Sequence, residues 1–197
     1  MKKIQLTAEK IDCIAAALAD VLRQPGAVVL VPTETVYGLI ARADDQVAID
    51  RIYELKHRSA SKRLGWFVGD WRKLTEYGVI LSGLPEKLAG EYCPGALTVI
   101  APCRDGSTLG FRVPDTPLLA KVLAAVEVPL VQTSANASGM PDVLSCEEAL
   151  GQLNGEVDLA VDGGSISGSA MGSTVVDATG ERIKILRQGP IDLQKWL

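Results

Sequence analysis

The stretch Val28-Val29-Leu30-Val31-Pro32-Thr33-Glu34-Thr35-Val36-Tyr37-Gly38-Leu39-Ile40 decides how the rest of the chain is read. Its first four residues are apolar and mostly β-branched, which suits a buried strand, and Pro32 closes the run because its ring supplies no ladder donor. Polar groups follow at once. Thr33, Glu34 and Thr35 bring two hydroxyls and a carboxylate to the strand's end, and Tyr37-Gly38 predicts a bend or a close backbone approach to a ligand. Strand ends are where α/β proteins gather their chemistry. An ordinary strand and turn fits this stretch equally well, so the remainder of the chain has to decide.

Upstream, Thr7 is a candidate N-cap for a helix carrying Ile11, Ile14, Leu18, Val21 and Leu22, stopped by Gln24-Pro25-Gly26. Downstream, Asp44 or Asp45 caps a second helix with Val47, Ile49, Ile52 and Leu55 on its apolar side and Lys56 and Arg58 in its last turn. Further strands are predicted at 64–68, 97–101, 109–113, 129–132, 157–161, 173–177 and 183–186, with a helical turn at 71–74 and helices at 85–92 and 117–126. Ser145 and Glu148 form a capping-box signature for a helix reaching about Leu153. Asp162 to Gly172 reads as a flexible glycine- and serine-rich loop. Short strands outnumber helices, which predicts one α/β domain over residues 1–197, its twisted mixed sheet flanked by helices.

Composition narrows the function. The chain has 197 residues, 47% hydrophobic and 22% charged, with no apolar run near the ~20 residues of a membrane span, so a cytoplasmic protein without a membrane partner is expected. Net charge is −4 and the pI about 5.1, which excludes a globally basic nucleic-acid binder. Lys56, Arg58, Lys62 and Arg63 nevertheless form a local basic patch without an intervening acid. Cys13, Cys93, Cys103 and Cys146 match no zinc or redox spacing and read as small buried residues in a reducing compartment. His57, the only histidine, lies between two cations and reads as solvated, which argues against a histidine-assisted nucleophile.

Three hydroxyl-bearing stretches sit at strand ends: Thr33 to Thr35, Ser134 to Asn136, and Ser173-Thr174. Hydroxyls beside exposed backbone N–H groups suit phosphate or carboxylate. Arg112 and Arg187 each lie in an apolar strand context, from which a planar guanidinium fork can reach an anion. No G-x-x-x-x-G-K-[ST] loop, carboxylate pair or catalytic triad is present. The residues alone therefore describe an open, cationic, hydroxyl-lined anion site.

The ordered motifs Pro32-Thr33-Glu34-Thr35-Val36-Tyr37-Gly38-Leu39, Lys56-x-Arg58, Pro94-Gly95-Ala96-Leu97-Thr98, Arg112-Val113-Pro114, Ser134-Ala135-Asn136-x-Ser138-Gly139, Ser173-Thr174-Val175-Val176-Asp177 and Leu186-Arg187 are more specific. Together they resemble the YrdC-like family of threonylcarbamoyl-adenylate synthases, in its short single-domain form, over about residues 10–190. The resemblance implies a nucleotidyltransferase that makes threonylcarbamoyl-AMP and pyrophosphate from ATP, L-threonine and bicarbonate, for N6-threonylcarbamoyladenosine in tRNA. It implies Mg²⁺ carried on the ATP phosphates with no metal site of the protein's own, and a downstream threonylcarbamoyl transferase complex.

By the same resemblance Thr35, Arg112, Gln132 and Ser173 belong to the threonine site, and Arg58, Lys62, Thr108, Ser134 and Arg187 to the ATP site. Lys56, Arg58, Ser134 and Asn136 form the catalytic lining. Departures from the family pattern are Ala96 for a second proline, Phe67 for a histidine near threonine, Lys62 for an asparagine near ATP, and Met171-Gly172 ahead of Ser173. Two other readings stay open: a module that holds tRNA at the basic patch without forming adenylate, and a paralogue that only binds or hydrolyses nucleotides.

Overall fold

A computed structural model describes residues 2–167 and 171–197. Lys2–Gln5 forms β1, Ile11–Leu22 α1, Val29–Pro32 β2, Tyr37–Arg42 β3 and Gln46–Leu55 α2. Gly65–Phe67 is β4, Leu84–Tyr92 α3, Leu97–Pro102 β5, Thr108–Arg112 β6, Pro117–Val126 α4 and Leu130–Ser134 β7. Cys146–Gln152 is α5, and Leu159–Asp162, Thr174–Asp177 and Lys184–Arg187 are β8, β9 and β10. These strands join in one sheet, ordered β1-β8-β2-β3-β7-β4-β6-β5-β9-β10. Parallel pairs such as β2 with β8 and β5 with β9 alternate with antiparallel ones such as β2 with β3 and β5 with β6, which is the mixed α/β sheet expected.

The apolar run at 28–31 is buried on both sides because successive side chains of a strand face opposite ways. Val29 and Val31 pack with Leu18 and Leu22 of α1 and Leu119 and Val122 of α4. Val28 and Leu30 pack with Ile52 of α2 and Ala149 of α5. A third core sets Leu88 and Ala89 of α3 against Leu97, Val99 and Ala101 of β5, Phe111 of β6 and Val176 of β9. The residues that alternate with these, Thr98, Ile100, Gly110, Arg112 and Val175, line an open cavity instead.

Several expectations are corrected. Tyr37-Gly38 is not a bend: both residues lie in β3, which pairs with β2 and β7, and the turn is made by the residues before them. Thr33 closes that turn, its Oγ1 accepting from the amides of Thr35 at 3.1 Å and Val36 at 3.2 Å and donating to the Val36 carbonyl at 2.7 Å. Gly38 is needed because a Cβ there would lie 3.2 Å from the Thr133 carbonyl of the neighbouring strand. Thr7 makes no capping bond, since a 3-10 turn at Ala8–Lys10 precedes α1.

Asp45, not Asp44, caps α2 through the Ala48 amide, and Val47 is 67% exposed while Ala48 takes the buried position. Lys56 is the C-cap of α2 and Arg58 lies beyond its end, so the last turn carries neither. Of the four free cysteines only Cys146 is buried, and Cys13 is exposed on α1. The loop read from Asp162 to Gly172 includes residues 168–170, which lie outside the described residues.

Tyr37 ties this first hairpin to the exit of β8. Its hydroxyl donates to the Gly164 carbonyl at 2.7 Å and accepts from the Gly163 amide at 2.9 Å. Burial pushes the phenol up to about 12, so it remains a donor throughout the neutral range. Tyr37→Phe should lower stability by about 1–3 kcal/mol by leaving two backbone groups unpartnered. Thermal unfolding would register this as a fall of about 2–4 °C per kcal/mol for a chain of this size.

Candidate active site

The cavity has a volume of about 610 Å³, within the range of small-molecule sites. It runs along β6, whose residues Thr108 and Arg112 mark its two ends, about 13 Å apart at the rise of a strand. The sequence candidates Thr35, Arg58, Thr108, Arg112, Gln132, Ser134, Ser173 and Arg187 all line it. They come from five places in the fold: the β2–β3 turn, the segment after α2, β6, β7, and the strands β9 and β10 with their approaches.

At one end Arg112 is 3% exposed and held from three directions. Its Nε donates to the Gly95 carbonyl at 3.1 Å, and its Nη1 donates to Thr35 Oγ1 at 3.2 Å. Nη2 lies 2.5 Å from Glu34 Oε1, an ion pair off the hydrogen-bonding line, so Nη2 has no hydrogen-bond partner among the described residues. The guanidinium also lies 5.6 Å from the centroid of the buried Phe67 ring. Phe67, one of the departures from the family pattern, thus offers Arg112 an aromatic neighbour.

Beside it, Ser173 and Thr98 share a hydroxyl hydrogen bond of 2.7 Å. Arg187 donates from Nε to the Ser173 carbonyl at 3.0 Å and from Nη2 to Ser173 Oγ at 3.2 Å. Burial pulls the Arg187 guanidinium below its usual range, Asp142 opposes that and Arg112 adds to it. Two guanidiniums beside two hydroxyls give this end chemistry suited to an anion.

Ser173 is fixed by the chain behind it. Thr174 Oγ1 accepts from the Gly189 and Ile191 amides, both at 3.0 Å, and donates to the Ile191 carbonyl at 2.9 Å. A Cβ at Gly189 would fall 2.4 Å from both the Gly172 carbonyl oxygen and the Thr174 amide nitrogen. Gly189→Ala must therefore displace the Ser173 segment. It should cost about 1–3 kcal/mol in denaturant unfolding and weaken ligand binding at this end of the cavity, measurable by calorimetry.

The other end lies at the β5–β6 turn. Arg63 Nη1 donates to the Thr108 carbonyl at 2.9 Å, and Asp105 and Ser107 face the mouth. Trp66 and Tyr77 meet edge to face with centroids 5.4 Å apart, and Tyr53 adds a third aromatic wall. Gln132 and Ser134 of β7 line the cavity as well. A Cβ at Gly65 would come within 2.8 Å of Gln132 Nε2, so the glycine makes room for that amide.

Lys56, Asn136 and Lys62 do not line the cavity. Lys56 is 1% exposed, and its ammonium donates to the carbonyls of Ser134 and Asn136. Its own carbonyl accepts from the Ser138 amide at 3.0 Å. Burial first, then repulsion from Arg58, brings this lysine down to about 8 against the pull of Asp142. Asn136 accepts from Ser134 Oγ at 2.5 Å and donates to the carbonyls of Ala137 and Met140.

Both residues thus build the wall that presents Ser134 rather than touching the cavity. Lys62 is exposed, and its carbonyl accepts from Arg58 Nε at 3.2 Å. Arg58 also donates to the Arg63 carbonyl at 3.3 Å, and burial holds its guanidinium below the usual range. The basic patch is therefore thinner than the sequence implies, because Lys56 is interior and Arg58 is folded onto its own loop.

Thr98, Trp66 and Tyr77 are not sequence candidates for the site, and Arg63 enters there only as a member of the basic patch. For Thr98 the signal was available: it is the polar member of the otherwise apolar strand Leu97–Ala101. Tyr77 reaches the cavity from the end of the 3-10 segment Trp71–Tyr77, and no local pattern announces that.

Comparison with known proteins adds an independent line. The family Sua5_yciO_yrdC, described as "Telomere recombination", matches residues 21–189. The threonylcarbamoyl-AMP synthase of Bacillus subtilis is 34% identical over 89% of this chain, which spans 53% of that protein. The threonylcarbamoyl-AMP synthase of Vibrio parahaemolyticus is 34% identical over 84% of the chain and is 94% covered by it. Among solved structures, P. abyssi Sua5 complexed with L-threonine superposes with a TM-score of 0.78 at 29% identity, covering 98% of this chain and 58% of that one.

Proposed function

Because the chain belongs to the Sua5/YciO/YrdC family, we propose that it forms threonylcarbamoyl-AMP and pyrophosphate from ATP, L-threonine and bicarbonate. The observation that carries the reading is the two-ended cavity, with Arg112, Arg187, Ser173 and Thr35 at one end and aromatic walls at the other. An amino-acid carboxylate suits the guanidinium end, and a nucleotide base suits the surface of Trp66 and Tyr77.

In this reading the threonine amine condenses with bicarbonate, losing water, to give a carbamate. A carbamate oxygen then attacks the α-phosphorus and pyrophosphate leaves with the electrons of the broken P–O bond. Both partners are anions, so the protein's task is to hold them together and to neutralise the developing charge. Arg58, Arg187, Thr108 and Ser134 are the proposed phosphate and nucleotide contacts. Lys56 and Asn136 act through Ser134. Mg²⁺ enters with ATP, bound by phosphate oxygens and water. Transfer to tRNA by a separate complex, and a cytoplasmic location for the chain, belong to the same proposal.

The test is pyrophosphate release from ATP, with L-threonine and bicarbonate supplied together and singly. Release should require both. Release that ignores threonine would leave a nucleotide hydrolase of this fold in its place.

A further inference from the structure

Glu34 touches the site only through Arg112. Its Oε1 accepts from the Asp115 amide at 3.0 Å and faces Arg112 Nη2 at 2.5 Å, while Oε2 is buried with no hydrogen-bond partner among the described residues. The carboxylate does not line the cavity, whereas Arg112 and Thr35 do. Among the described residues Arg112 commits two of its five N–H groups to hydrogen bonds, at Gly95 and Thr35.

A guanidinium this deeply buried needs an opposite charge, and because Nη2 is buried against Glu34 it needs its plane fixed if the remaining N–H of Nη1 is to meet a carboxylate in the cavity. Glu34 supplies the charge, and the Asp115 amide keeps Glu34 from swinging away. Asp115 belongs to the segment following β6, so the same contact ties the β2–β3 turn to the strand that carries Arg112.

We propose that Glu34 is a positioning residue for the amino-acid carboxylate: from outside the cavity lining it orients the Arg112 guanidinium and so sets discrimination for a free carboxylate. This inference rests on the proposed synthase reading. The consequence is specific. Losing the Glu34 charge should impair recognition of the carboxylate and leave nucleotide recognition alone.

The experiment uses Glu34→Gln, which keeps the volume and an oxygen acceptor for the Asp115 amide but removes the charge. In the pyrophosphate assay the KM for L-threonine should rise about ten-fold or more, with the KM for ATP within about two-fold of wild type. The preference for L-threonine over L-threoninamide should shrink by a similar factor. In an Arg112→Lys background, Glu34→Gln should add nothing on either measure.

A fall in the threonine KM, equal rises in both KM values, unchanged discrimination, or an independent effect in the Arg112→Lys background would each overturn the inference. If Glu34→Gln does not fold, as judged by thermal unfolding, Glu34→Asp keeps the charge but shortens its reach. It should shift the threonine KM alone, by a smaller factor, and any other pattern counts against the proposal. Wild-type release that does not depend on threonine would bring down the parent reading and this inference with it. Threonine-dependent wild-type release with unchanged discrimination in the variant would bring down this inference alone.

Discussion

Replacing Arg112 with glutamine is expected to reduce threonine-dependent pyrophosphate release by a factor of about 10² to 10³. Two losses combine. The substrate carboxylate loses its charged fork, and Glu34, whose ion partner Arg112 is, becomes a carboxylate without its counter-charge. Removing one partner of a buried ion pair costs about 3–5 kcal/mol, because it leaves the other charge uncompensated. The measurement is kcat/KM for threonine alongside denaturant unfolding. Both should fall, and Arg112→Gln combined with Glu34→Gln should recover part of the stability but none of the activity. Arg112→Lys should be nearly as inactive, because an ammonium cannot hold Gly95, Thr35 and a carboxylate in one plane.

Lys56→Met is expected to have the second large effect, although Lys56 does not line the cavity. The thioether keeps the bulk but leaves the carbonyls of Ser134 and Asn136 without donors, at about 1–3 kcal/mol for each. Ser134 then loses its fixed place, and activity should fall with little change in the KM for threonine.

The pH dependence has a definite sign. Lys56 titrates at about 8 in the fold against 10.5 when unfolded. Between those values the unfolded chain holds a proton that the folded chain has released. The contribution of Lys56 to stability therefore rises with pH across that window, and the strain of the buried charge is felt in full only below about 8. Denaturant unfolding of wild type and Lys56→Met from pH 7 to 10 should show wild type gaining on the variant above pH 8. A constant difference would mean that the ammonium keeps its ordinary proton affinity.

The residues differ in how far their roles could be read in advance. The apolar run at 28–31 and the Pro117 helix were legible because each carries its signal locally, and Thr116 does cap that helix through the Leu119 amide. β3 was not, because Tyr37-Gly38 has the composition of a turn. The glycine answers to a carbonyl on β7 that is distant in sequence. β1 was illegible for a different reason: in Lys2-Lys3-Ile4-Gln5 one residue, Ile4, packs half-buried on the core, and the strand is held by its pairing to β8 and by contacts of Lys3 and Gln5 with Asp162.

In the site, hydroxyls and arginines at strand ends were legible as candidate anion contacts, and Arg112, Ser173 and Arg187 do line one cavity. Lys56 was misplaced because a lysine is ordinarily solvated, and nothing near it in sequence reveals that its partners are backbone carbonyls 78 and 80 residues away. The partner of Glu34 is illegible for the same reason: the cation that its carboxylate meets, Arg112, is distant in sequence.

The contacts that make the site are also separated widely along the chain. Thr35 and Arg112 are 77 residues apart, Thr98 and Ser173 are 75, and Lys56 and Ser134 are 78. Each closes a long loop whose entropy must be surrendered before the contact repays it. Topologies dominated by such pairings fold slowly. The helices and the β2–β3 hairpin form from neighbours in sequence, but the anion end needs β9 and β10, the last two strands, in register beside β5. Refolding followed by helical signal should accordingly run ahead of refolding followed by ligand binding, so the chain acquires its shape before its chemistry.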